Sequence, residues 1–398
     1  MTPVDNETLF APVKLGPLEL RNRFVRAGAF EGMCPGGLPS DDLVRYHESV
    51  ARGGVGMTTV AYASVSSDGL TYAHQIALDK PAVLPRLRAI TDAVHREGAA
   101  AAIQIGHAGY FADRSVTGCR PMGASRVLNT YGLSVPRPMD EGDLASMVER
   151  FAKSARLAAE AGFDAIELQA CHGYLLSQFL SPYTNRRTDH WGGSLENRMR
   201  LTHDVMQAMR KAVGSRLAIV VKMNLRDGFS GGLELDEATE VARALEQQGA
   251  DALVLSGGFV SKVPMYVMRG DVPFREMYQG QTRLVKKVGL LLLGRVLVKA
   301  FPFREAYFLE DARVVRKAVR MPLMLVGGLR RRSHMAEVVA EGFDLLALAR
   351  PLIMEPDLVN RMRKGETEAS TCEPCNKCIG EMDHGAMRCV LLEERRGR

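Results

Sequence analysis

Residues 163–200 read FDAIELQACHGYLLSQFLSPYTNRRTDHWGGSLENRMR, and the order of residue types within them decides the fold. Ala165 to Leu168 is an apolar, partly β-branched run that predicts a short strand buried on both faces of a parallel sheet. Gln169, Cys171, His172 and Tyr174 follow directly. The pattern then turns helical around Leu175, Leu176, Phe179 and Leu180, stops at Pro182, and crosses a polar segment in which Trp191-Gly192-Gly193 requires a specific turn. Polar groups gathered just past the carboxyl end of a buried parallel strand are where α/β folds build active sites.

Strand-like apolar runs recur on both sides of this stretch, at Arg23 to Ala27, Val55 to Val65, Ala99 to Gly106, Leu217 to Met223, Ala252 to Leu255, Leu323 to Val326 and Leu345 to Ala349. With Ala165 to Leu168 they make eight. Helical patterns separate most of them: Pro81 to Gly98, Leu144 to Gly162, Ser194 to Val213, Asp236 to Gly249 and Arg331 to Gly342. Several close on glycine before the next strand, the residue that best tolerates the left-handed backbone past a helix end. Alternating units of this number predict an α/β fold, a closed (β/α)8 TIM barrel. A doubly wound open sheet competes, but the GxGxxG loop it would carry after its first strand is absent.

Three additions to the barrel are expected. Val13 to Leu20 reads as an N-terminal hairpin around Gly16-Pro17, suited to plug the barrel floor. Phe111 to Asp143 shows no convincing helix and suits a long loop over the mouth. Phe259 to Arg320 is an extended excursion between strand six and helix six, and contains the apolar run Val288 to Phe301, interrupted by Arg295 and Lys299. That run reads as an amphipathic helix or a partner-covered surface. The expected division is a barrel over residues 1–365, with its excursion at about 259–320, and a cysteine-bearing tail over 366–398.

The chain of 398 residues fits one barrel domain, since such barrels run from roughly 200 to over 400 residues. Its 52 basic and 46 acidic residues leave a mild +6, without the dense basic block that nucleic acid would call for. No apolar run approaches the roughly 20 residues of a membrane span. Seven cysteines, an odd number, behind a start of Met1 to Thr8 that carries Asp5 and Glu7 and no apolar core, point to a reduced, cytoplasmic setting. Oligomeric state, a homo-oligomer included, is left open.

Side chains at the carboxyl ends of barrel strands converge on one mouth. Gln104 and His107 end strand three, Gln169 and His172 follow strand four, Lys222 ends strand five, and Gly257 and Gly258 follow strand six. Gly327-Gly328 after strand seven and Ala349-Arg350 after strand eight form the arrangement expected of a phosphate site, in which bare backbone N–H groups approach the anion.

The stretch quoted above resembles the signature region of the Old Yellow Enzyme family, FMN-dependent ene-reductases that include the first domain of 2,4-dienoyl-CoA reductase. The residues that carry it are His172 to Leu175, Gln178 to Pro182, Asn185 to Asp189 and Trp191 to Arg198. The resemblance runs from about Leu9 to about Pro356. It implies that Gln104 binds the pyrimidine edge of FMN, that Lys222 lies near N1, and that Ala27 and Gly28 line the ring's back. It also implies that Gly327, Gly328, Ala349 and Arg350 hold the phosphate. Gln169 and His172 then stand where the family places a His/His or His/Asn pair on the substrate carbonyl, and Tyr174 where it places the proton donor. Lys222 replaces a common Arg, and Phe30 a common Thr or Cys that tunes the flavin, a role left to Cys34 or a backbone group.

By that resemblance the chain reduces the C=C bond of an α,β-unsaturated carbonyl compound, with NAD(P)H as hydride donor, FMN as carrier and a small enone or enoate as partner. A flavin-dependent amine dehydrogenase is the nearby alternative. A flavin-free barrel aldolase or isomerase, with Lys222 as a Schiff-base amine on a phosphorylated substrate, is the distant one. Cys372, Cys375, Cys378 and Cys389 form a tail of reasonable metal spacing. It resembles, without matching, the CxxCxxxC-x11-C segment of 2,4-dienoyl-CoA reductase, so a 4Fe-4S cluster, a zinc ion and vestigial thiols all stand as readings.

Overall fold

Eight runs buried on both faces form the strands β1 (Phe24–Arg26), β2 (Met57–Ser64), β3 (Ala100–Gly106), β4 (Ala165–Ala170), β5 (Ala218–Asn224), β6 (Ala252–Ser256), β7 (Leu323–Val326) and β8 (Leu345–Leu348). Each pairs in parallel with the next, and β8 returns to β1 through Ala347 opposite Val25, closing a (β/α)8 barrel. The structure is a computed structural model that describes residues 7–280, 284–383 and 385–396. Asp5, used above to judge the start of the chain, and the side chain of Arg295 lie outside the described residues.

Alternation sorts each strand into two layers. Ile166, Leu168 and Ala170 of β4 face outward and pack with Ala101, Ile103 and Ile105 of β3 against the helices. The inward layer is built of small residues, Ala102, Ala165, Ala218, Ala252 and Ala347, together with Val25, Val220 and Val254. Small side chains low in the barrel leave its axis narrow but closed. Two residues further along, the inward positions turn polar, with Gln104 opposite Glu167 and Gln169 opposite Lys222 in strand register.

The predicted hairpin is present as Val13–Leu15 paired antiparallel with Leu18–Leu20, and Leu15 and Leu20 close the floor against the inward alanines. The loop after β3 departs slightly from expectation. It holds one helical turn, Arg114–Thr117, because Asp113 accepts from the Ser115 amide as an N-cap, and a two-residue pairing of Met122–Gly123 with Arg137–Pro138. The excursion after β6 forms helices Pro264–Val267, Phe274–Gly280 and Leu284–Leu297 before the barrel helix Leu309–Ala318. Leu291 and Leu292 in it are each 72% exposed. No helix among the described residues is long and apolar enough to cross a membrane.

After Gly365 the chain runs back over the mouth. The Ser370 amide donates to the Arg330 carbonyl at 3.0 Å, and the Met387 amide to the Glu31 carbonyl at 2.7 Å. The cysteine tail is thereby laid against the loops that follow β7 and β1.

Candidate active site

The inward polar layer opens into a cavity whose empty space is about 1320 Å³ including its mouth. Its walls bring together every residue singled out above from the strand ends as a cofactor or substrate contact: Ala27, Gly28, Gln104, Gln169, His172, Tyr174, Lys222, Gly327, Gly328, Ala349 and Arg350. Near the axis, the Lys222 ammonium donates to the Gly28 carbonyl at 3.2 Å and lies 3.6 Å from a Glu167 carboxylate oxygen, which also accepts from the Gln104 amide. Glu167 was not singled out in the sequence, where it sits among apolar neighbours. Its place two residues before Gln169, on the inward phase, is the signal that marks it. Gly28 is required by crowding, because a Cβ there would stand 2.8 Å from Gln104 Nε2.

At the far end, Gly327 and Gly328 have φ of +106° and +75°, and Ala349-Arg350 opens the short helix Arg350–Met354. Arg350 donates to the Arg269 carbonyl at 3.1 Å and to the Asn376 side chain. Arg330 is a second cation on this wall that sequence reasoning missed. Its Nε is buried without a partner among the described residues, while its other end donates to the Ser370 carbonyl at 3.2 Å. An orphaned guanidinium N–H beside two glycines of positive φ suits an anion. On the opposite side, Gln169 Oε1 is likewise buried and unpartnered. A group with a phosphate for the Arg330 and glycine end and a polar heterocycle for the Gln104 and Lys222 end fits this cavity.

His172 follows β4 in a left-handed conformation, φ +61°, unusual for a residue with a side chain. Its amide donates to Asn224 Oδ1 at 3.1 Å, and its Nε2 lies 2.8 Å from Ser256 Oγ. Burial, reinforced by the Lys222 charge, holds its pKa well below the usual 6.5, so the ring is neutral. Tyr174 packs edge-on against Tyr62, ring centroids 5.0 Å apart, and against Phe111 at 5.7 Å. Burial, with Tyr62 nearby, pushes its phenol well above 10, so it keeps its proton at neutral pH.

Two expectations are corrected. His107 does not line the cavity: its Nδ1 accepts from the Gly109 amide at 3.0 Å and its Nε2 stands 3.3 Å from Asp68, which turns the ring into the loop behind β3. Cys34 does not reach the cavity wall either. It is buried in the outer core, where desolvation pushes its thiol up, so it cannot stand in for the donor lost at Phe30. Phe30 instead stacks on Tyr72 with centroids 4.7 Å apart.

Cys372, Cys375, Cys378 and Cys389 are free thiols around one small cavity behind Arg350, and Cys372 and Cys378 also touch the main cavity. Among the described residues no group of three or more His, Cys, Asp or Glu is disposed to hold a metal ion. The cluster and zinc readings of these thiols therefore find no metal site among the described residues.

A closed parallel barrel whose mouth joins arginines and positive-φ glycines to inward amide, ammonium and phenol groups is an arrangement that suits a flavin-dependent oxidoreductase. The chain belongs to the NADH:flavin oxidoreductase / NADH oxidase family, whose model matches residues 8–296, and within it to the Old Yellow Enzyme type. It is 42% identical over 394 residues to a 4,4'-dithiodibutanoate disulfide reductase of Rhodococcus erythropolis, covering 99% of this chain and 97% of that protein. It is 30% identical over 382 residues to a multifunctional alkene reductase/demethylase of Caballeronia cordobensis, covering 95% of this chain and 52% of the relative. The solved complex of a 2-naphthoyl-CoA reductase superposes with a TM-score of 0.83 at 24% identity, over 99% of this chain and 58% of that one. The chain thus spans about half the length of the latter two. Membership sets aside the flavin-free aldolase reading: this is an FMN-dependent NAD(P)H oxidoreductase.

Proposed function

We propose that this enzyme reduces the C=C bond of small α,β-unsaturated carbonyl compounds. The observation that carries the reading is the convergence of Gln169, His172 and Tyr174 on one wall of the cavity that also holds Gln104, Lys222 and the anion cradle. FMN, when bound, supplies the hydride it has taken from NAD(P)H. Gln104, Lys222, Ala27 and Gly28 would hold the ring, and Gly327, Gly328, Ala349 and Arg350, with Arg330, its phosphate. Gln169 and His172 donate to the substrate oxygen, which gains negative charge as the β-carbon is reduced. Tyr174 then delivers a proton to the α-carbon. Phe30, Tyr62, Tyr72 and Tyr174 give this wall an aromatic face that excludes water from the proton transfer.

The 42% identity to a disulfide reductase over nearly its whole length supports a second reading, reduction of an organic disulfide to two thiols. Tyr174 favours the first. Reduction of the C=C bond needs a proton at the α-carbon, which a phenol that keeps its proton can supply, whereas a thiolate, whose conjugate thiol has a pKa of about 8.5, leaves without one and gives Tyr174 no task.

The test is an anaerobic visible titration of the FMN-loaded enzyme, bleached with NADH or NADPH and then given 2-cyclohexenone or 4,4'-dithiodibutanoate. Faster return of the oxidised spectrum with the enone supports the proposal. Return with the disulfide alone replaces it by the second reading.

A further inference from the structure

Ser256 ends β6, is 1% exposed, and lines the cavity beside His172. We propose that Ser256 is a positioning residue whose hydroxyl donates to Nε2 of His172, holding that ring in the Nδ1–H form that can donate to a substrate. This rests on the reading of His172 as a donor to the substrate oxygen.

The geometry leaves the ring little choice of pose. The His172 backbone is clamped on both sides: its amide donates to Asn224 Oδ1 at the end of β5 at 3.1 Å, and its carbonyl accepts from the Val260 amide in the loop after β6 at 3.0 Å. Asn224 is itself oriented, its Nδ2 donating to Asp227 Oδ1 at 2.8 Å and to the Gly258 carbonyl at 2.9 Å. Asp227 Oδ2 in turn accepts from the Leu233 amide at 2.8 Å. From this left-handed backbone the imidazole reaches toward β6, and Nε2 meets Ser256 Oγ at 2.8 Å.

A neutral imidazole carries one N–H and one lone pair, and the partner of one nitrogen decides which is which. Among the described residues Nε2 has Ser256 as its partner, and Nδ1 is the remaining polar atom of a ring that lines the cavity. If Nε2 held the proton, Nδ1 would be an acceptor only, and of the pair facing the substrate oxygen only Gln169 would donate. With Ser256 donating to Nε2, both members of the pair donate. The serine hydroxyl can take either role, and the chemistry at Nδ1 selects this one.

The experiment is nitrogen NMR of FMN-loaded enzyme labelled at histidine nitrogen, with the His172 signals assigned by their absence in His172→Gln. The expected result is a bare, pyridine-type resonance for His172 Nε2 and a protonated Nδ1. In Ser256→Ala the proton moves wholly or partly to Nε2, and in Ser256→Thr the original pattern remains. In turnover with an enone, Ser256→Ala lowers kcat by about tenfold, since a histidine in the wrong tautomer keeps its place but loses its role, and Ser256→Thr restores it. A protonated Nε2 in the unaltered enzyme, or an unchanged pattern in Ser256→Ala, overturns the proposal. The first reading needs no variant and no acceptor. It therefore stays separate from the ene-reductase reading, whose failure would show as unaltered enzyme that no enone re-oxidises.

Discussion

The Lys222 ammonium and the Glu167 carboxylate stand 3.6 Å apart, with each side chain only 4% exposed. The cation proposed to lie at the flavin is therefore already partly neutralised before any cofactor charge develops. Replacing Glu167 with Gln leaves Lys222 unopposed and favours an electron-rich flavin. The expected outcome is a midpoint potential raised by on the order of 30 mV, equivalent to ~1.4 kcal/mol for a two-electron couple. An equilibrium redox titration measures it, and an unchanged or lowered potential would contradict the assignment of Lys222 to the flavin.

Glu31 is a second buried carboxylate. It pairs with Arg26 at 2.6 Å, accepts from the Ala61 amide at 3.0 Å, and lies 3.4 Å from His47 Nε2. Removing one partner of such a pair strands the other, at about 3–5 kcal/mol. Glu31→Ala is expected to lower the melting temperature sharply. The Arg26→Met/Glu31→Leu double variant is expected to lose less than the sum of its single changes, which calorimetry on all four proteins will decide.

Asp227 carries a pH signature. Burial raises its pKa from 3.8 to about 6 despite the Leu233 and Asn224 N–H donors. A carboxyl raised in the folded state contributes stability that is complete below the unfolded pKa and lost as pH climbs through the folded one. Relative to Asp227→Asn, the unaltered enzyme should therefore lose roughly 3 kcal/mol between about pH 4 and pH 7. Urea unfolding of both proteins across that window gives the difference, and a gain with rising pH would refute it.

Tyr174→Phe removes the phenol proposed to deliver the proton and leaves the ring packing on Tyr62 and Phe111 in place. Enone turnover should fall on the order of a hundred- to ten-thousand-fold. Bleaching by NAD(P)H should stay within about twofold, because that step asks no proton of a side chain. Stopped-flow traces of the two half-reactions separate these effects; equal slowing of both would assign Tyr174 a structural role.

Gly328 tests the anion cradle. Its φ of +75° disfavours any side chain, and a Cβ there would lie 2.5 Å from the Arg304 carbonyl oxygen. Gly328→Ala should weaken FMN binding by at least about tenfold, or ~1.4 kcal/mol. Fluorescence titration of the apoenzyme with FMN reads this directly, and undiminished affinity would move the phosphate elsewhere.

The local code was legible wherever one residue type has one use. Glycine after a helix marked the approach to several strands, eight apolar runs marked the barrel, and the inward phase of β3, β4 and β5 could be read from Gln104, Gln169 and Lys222. Glu167 escaped because a lone acid inside an apolar strand looks the same whether it faces core, solvent or cofactor. Arg330 escaped because arginines crowd residues 330–332. His107 misled because position past a strand end does not state which way the loop will turn the ring.

What the amino-acid order determined by itself was the period of the pattern, and with it the strand count, the closed barrel and the face on which polar groups collect. Those depend on backbone geometry within a few residues. Tertiary structure alone decided the pairings between distant positions: Ser256 on His172, Glu167 between Gln104 and Lys222, and Ser370 on Arg330. Such contacts exist only because barrel closure brings strand ends far apart in sequence to one mouth, where a few tenths of an ångström separate a hydrogen bond from none.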